Sequence, residues 1–156
     1  MEPRSRSKRA ADLATRLEAA ANALIAVVEP IDPDRWRQVP GPGVWSVSKD
    51  VEHVAEAAVY HQWIVRTTIG QKVSSRRPGI ERLQMVSGLS PQDAASLVRE
   101  RTVEGRTILL GLTDEQLDQP TRPLRARGQR LHETIELLLI GHYNAHRAQV
   151  EAKLRA

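Results

Sequence analysis

The sequence predicts an all-α protein, a bundle of four long helices in one domain. Four stretches repeat apolar residues at three- and four-residue steps, no stretch alternates convincingly enough for a strand, and no fixed-period repeat occurs. At 156 residues the chain suits one domain and can bury one sizeable core, so residues 1–156 are read as a single unit. Residues 1–7 are expected to form a disordered basic tail.

The first helix is expected from about Lys8 to Glu29, with Leu13, Leu17, Ala20, Ala21, Leu24 and Val28 on one face and Pro30 and Pro33 ending it. The Pro- and Gly-rich run Val39–Val44 is too irregular for regular structure. The second helix starts at Ser46 or Ser48, both good N-caps, and reaches Ile69 before Gly70. Its apolar arc is broad, as a helix with several neighbours requires. Residues 70–89 form a long connection with room for one short helix around Ile80–Val86. Ser90 and Pro91 then supply a cap and a first helical residue for the third helix, whose inner face includes Ala94, Leu97, Val98 and Leu109. Gly105 weakens that helix locally and suggests close approach of another. Thr113–Leu117 has a cap-like start and adds one turn. After a basic Pro/Gly loop at 119–130, the fourth helix runs from Leu131 to Arg155.

Composition removes several function classes. No run approaches the roughly 18 apolar residues of a membrane span. The basic opening residues lead into an amphipathic segment rather than the apolar core of a signal peptide, so a cytoplasmic location is expected. Cysteine is absent, which excludes disulfides and cysteine-based metal sites. The net charge is +4, and two basic clusters stand out, Arg4, Arg6, Lys8 and Arg9, then Arg122, Arg125, Arg127 and Arg130. Neither is interleaved with aromatic residues, so both read as solvated ends and loops rather than a nucleic-acid surface.

The histidines carry the chemistry. His142 and His146 are four apart on the fourth helix, so their rings lie one turn apart on one face, which also carries Ile135, Leu138, Leu139, Gln149 and Val150. Such a pair can present two nitrogens to one metal ion, though a histidine on an apolar face can also be simple core. A third ligand must come from another helix. His53 and His61 both lie on the second, about 80° apart by helical geometry. Periodicity slightly favours His61, nearer the middle of the apolar arc, and leaves the choice open. His132 opens the fourth helix and belongs near its end.

Three segments resemble the DinB-like, or YfiT-like, superfamily. Trp45-Ser46 is followed by His53 in a His53-Val54-Ala55 context, as in that superfamily's second helix. Leu131–Gln149, with His142, His146, Arg147 and Gln149, is similar to its last helix and its His-x3-His-Arg-x-Gln signature. The turn Leu112–Leu117 has the same character. The chain departs from many members in having Ala145 before the last histidine and Ala148 after the arginine.

The resemblance implies a four-helix bundle with a long crossover between helices two and three, a frequent homodimer, and a metal site of zinc or nickel. By residue, its ligands would be His53, His142 and His146. It also implies a function: transfer of a low-molecular-weight thiol, such as bacillithiol, mycothiol or glutathione, to a small electrophilic substrate. The competing expectation is a non-enzymatic, stress-associated metal-binding dimer. Arg147, Arg125, Arg127 and Arg130 are candidates for binding an acidic thiol's carboxylates, against the simpler role of solvated charge. Tyr60 or Tyr143 could donate a proton, and Gln149 could support the site. Glu52 and Glu56 fall on the polar side of helix two and are not expected as ligands.

Overall fold

The computed structural model describes residues 6–74, 76–122 and 129–156. Helix α1 spans Lys8–Val28, α2 Pro33–Arg37, α3 Val47–Thr68, α4 Pro91–Leu110, α5 Asp114–Leu117, α6 Leu131–Thr134 and α7 Gly141–Arg155, with a π-helical segment at Ile135–Ile140 joining the last two. No strand occurs among the described residues. The fold is all-α.

Local chemistry explains most boundaries. Ser7, Ser46, Ser90 and Thr113 each accept a hydrogen bond from a backbone N–H in the first turn of the helix they cap. Gln116 completes a capping box with Thr113. Gly43 and Gly70, at φ 71° and 77°, take left-handed turns before and after α3 that side chains disfavour. The second helix therefore begins with Ser46, not Ser48, as its cap.

Two elements depart from the sequence expectation. Helix α2 is unpredicted, a short turn capped by Asp32 with Pro33 at its start. Trp36 on it is fully buried and donates its indole N–H to the Leu89 carbonyl at 2.7 Å. One tertiary contact thus stabilises a piece too short to be helical alone. The connection 70–89, conversely, contains no helix around Ile80–Val86.

The four long elements pack in a ring: α1 lies against α4 and α7, and α3 lies against the same two. Ion pairs Glu18–Arg106 and Glu29–Arg99 show α1 and α4 running in opposite directions. The start of α3 meets the end of the connection, with Ser46 N–H on the Met85 carbonyl and Ser87 N–H on the Ser48 hydroxyl, at 2.9 and 3.0 Å. Further along, Gln62 reaches the Arg101 carbonyl at 2.9 Å. Helices α3 and α4 therefore run the same way, and residues 69–90 carry the chain back along the bundle between them. Lys49, fully buried, pins this connection through Glu81 at 2.6 Å.

The core contains Leu17, Leu24, Val51, Val54, Val65, Val98, Leu109 and Leu139. Gly105 fulfils its expected role, since a Cβ there would lie 3.0 Å from Leu17 Cδ2 and 3.4 Å from Gln62 Nε2.

The last helix is not the uniform α-helix its sequence suggests. Gly141 N–H bonds the carbonyl of Glu136, five residues back. A π turn holds one extra residue, which rotates the following face by about 100° relative to an uninterrupted helix. Leu138, expected inward, is half-buried, and Ile140 takes a buried position. No helix among the described residues is long and apolar enough to cross a membrane.

Candidate metal centre

Antiparallel packing of α3 on α7 brings residues far apart in sequence into one cluster. His53 projects from the second turn of α3, and His142 and His146 from adjacent turns of α7. One ring nitrogen from each of the three lies within 4.8 Å of the others. Ring centroids are 5.1 Å apart for His53–His142, 5.0 Å for His53–His146 and 4.4 Å for His142–His146. His53 and His146 are buried and His142 is half-buried.

Electrostatics keep two of these rings in the form a metal needs. Burial pushes the His53 imidazole down to about 4, reinforced by the neighbouring His146 and by the positive charges of Arg82 and Lys49, and opposed by Asp50. Burial, with His146, His61, His53 and Arg82, pushes His142 down to about 3. Both are neutral at pH 7, with a lone pair free for coordination. Three converging imidazoles form a donor set of the kind that binds divalent metal ions. The cluster can hold a metal ion.

His61 also packs on His142, with centroids 5.1 Å apart, yet it lies outside the group of converging nitrogens. Burial and His53 push it down to about 4. His132 lies elsewhere, in a surface groove shared with Lys8, Arg9 and Leu13 at the start of α1.

The other candidates scatter. Tyr143 is buried, with its phenol pushed up by burial and drawn back by Thr102 and Arg101 of α4. Its side chain meets Thr102 of α4 and belongs to the core cluster. Tyr60 is half-buried beside His61, at 5.7 Å between rings, and carries the Arg77 guanidinium 4.6 Å from its centroid. Arg147 shares a groove with Arg16, Ala20 and Ala23 of α1, which removes it from the cluster. Arg130 donates to the Asp118 carbonyl at 3.2 Å. Arg125 and Arg127 lie outside the described residues. Gln149, expected on the face with His142 and His146, is exposed beside Trp45 and Lys153. Glu52 binds Lys49 at 3.3 Å and Glu56 accepts the Glu81 N–H at 3.1 Å, so neither faces the cluster.

Sequence reading missed Asp50, Lys153 and Arg82. Asp50 is buried, its Oδ1 is 3.7 Å from His146 Nδ1, and its Oδ2 bonds the Lys153 ammonium. Lys153 also donates to the Trp45 carbonyl at 2.8 Å, and the Trp45 indole packs 5.0 Å from the His53 ring. The i, i+3 spacing of Asp50 and His53 was the available signal for the carboxylate. Arg82 left none, because it sits in the irregular connection.

Comparison with protein families matches the description "DinB superfamily" to residues 16–150. No curated protein matches the chain.

Proposed function

The chain belongs to the DinB superfamily, and from that premise we propose that it is a metal-dependent enzyme acting on a low-molecular-weight thiol. The thiol, of the bacillithiol, mycothiol or glutathione type, is transferred to an electrophilic substrate. His53, His142 and His146 hold one divalent ion, zinc or nickel. The observation that carries this reading is the convergence of three ring nitrogens within 4.8 Å, two of them on imidazoles held neutral.

A divalent ion bound there supplies Lewis acidity that favours the thiolate over the thiol. The chain's own groups do the rest. Three protein ligands, rather than four, leave a coordination position for a substrate. His142 is half-buried, which gives small molecules a way in. Arg82, whose charge acts on both His53 and His142, is the cation for a carboxylate of an acidic thiol. Lys49 and Glu56 hold the adjacent Glu81, so that Arg82 is presented from an anchored segment.

Metal analysis of the wild type beside His53→Ala and His61→Ala tests the ligand set. The wild type should carry one ion per chain, His53→Ala should lose it and His61→Ala should keep it. The reverse pattern would show the third ligand to be wrong. Thiol-dependent consumption of monochlorobimane by the metal-loaded protein tests the chemistry. Stoichiometric metal without turnover across the three thiol classes would replace the enzyme with a metal-binding module.

A further inference from the structure

The buried ion pair beside the cluster has no part in the activity so far described. Asp50 is 1% exposed, although a buried carboxylate is costly unless paired. Its partner Lys153 lies 103 residues away, in the last turn of α7. His146 Nδ1 is buried without a hydrogen-bond partner among the described residues, and Asp50 Oδ1 faces it at 3.7 Å. Through its second contact, to the Trp45 carbonyl, Lys153 also fixes the residue whose indole lies on His53.

We infer that Asp50 is a positioning residue for His146, and that Lys153 locks Asp50 and Trp45 together so that one ammonium orients rings on both helices. The inference rests on the reading of the three histidines as a metal centre. Asp50 Oδ1 accepts a hydrogen bond from Nδ1–H, so the ring keeps its proton on Nδ1 and directs the bare Nε2 lone pair toward the cluster. A small rotation of the ring closes the remaining gap to hydrogen-bonding distance. Carboxylates that hold ligand histidines in this manner fix the tautomer and raise the basicity of the coordinating nitrogen. Lys153 sits against Asp50 Oδ2 at 2.5 Å and so holds the carboxylate away from the ligand set. Packing alone does not require this arrangement, since an uncharged pair of the same volume would fill the space without the desolvation cost.

Two readouts test the inference. The first is the tautomer of His146 in the metal-free protein, from long-range 15N–1H correlation at mildly alkaline pH. Wild type should show protonated Nδ1 and bare Nε2, and Asp50→Asn should lose that preference. The second is zinc affinity by competition with a chromophoric chelator, which should fall about 10–100-fold in Asp50→Asn and recover in part in Asp50→Glu. Should Asp50→Asn unfold because Lys153 is left as a lone buried charge, the double variant Asp50→Asn with Lys153→Met removes both charges and should fold. It should show the altered tautomer and the weakened affinity. An unchanged tautomer together with wild-type zinc affinity in either variant would overturn the inference. If the wild type itself bound no zinc, the metal reading would fall, while the tautomer measurement would still decide whether Asp50 orients His146.

Discussion

Helix α3 is packed on two sides, and the two interfaces are built on opposite principles. Toward α4 the contact is close and satisfied: Gly105 leaves room for Gln62 of α3 beside Leu17 of α1, and the Gln62 amide donates to the Arg101 carbonyl. Toward α7 the contact is polar and incomplete. Asp50, His53 and His61 meet Lys153, His146 and His142, and the Nδ1 atoms of His53 and His146 are buried without partners among the described residues. Burying an unpartnered polar atom costs about 1–3 kcal/mol. A bundle keeps such an interface only where its groups serve something other than stability. The α4 side holds the fold together, and the α7 side is held ready for a ligand.

The sharpest way to separate the two is to damage the packing around Gly105, where α1 and α3 both meet α4. Leu17→Ala should leave a cavity where α1 meets Gly105 and cost about 2–5 kcal/mol. Chemical denaturation should register this loss, while the folded variant should bind metal with wild-type stoichiometry. A parallel loss of metal would show that the two interfaces are not independent.

Acid should act on the other side. His53 and His61 are held near 4 and His142 near 3, against 6.5 for an ordinary imidazole. Between about pH 6.5 and pH 4 the unfolded chain therefore binds more protons at these positions than the folded one. Stability from this source is complete above about pH 6.5 and declines progressively as the pH falls through that window. Thermal unfolding of the metal-free protein should follow this course, and His61→Asn should flatten it. An identical acid profile in wild type and variant would contradict the buried, neutral state of His61.

A smaller effect is expected at the π segment. A Cβ on residue 141 would lie 3.0 Å from the Glu136 carbonyl oxygen, a backbone atom with little freedom to move. Gly141→Ala should cost about 1 kcal/mol despite its better helix propensity, since the strain outweighs the gain. The same change displaces the turn that carries His142, so calorimetry should find weaker metal binding as well. Greater stability with unchanged binding would mean that the π turn does not set the position of His142.

Most helices and their caps were legible because they depend on residues within one turn. Ser90 with Pro91, and Thr113 with Gln116, form their motifs without help from the rest of the chain. The pair His142 and His146 was legible for the same reason, since four residues on a helix set one turn of separation. Helix α2 was not, because its decisive contact joins Trp36 to Leu89. The π turn escaped notice because its extra residue is accommodated by Gly141, whose local signal is only that of a poor helix former.

The sequence by itself determined the all-α class, the four long helices and the paired histidines of the last one. Periodicity could not choose between His53 and His61, and slightly favoured the latter. Resemblance pointed to His53. The tertiary structure brought a nitrogen of His53, rather than His61, within 4.8 Å of the other two, because the rotation of α3 against α7 sets which ring converges. It alone also joined Asp50 to Lys153 across 103 residues of chain. Helical spacing is a local property of the backbone, whereas the meeting of two helix faces depends on the packing of every neighbour around them.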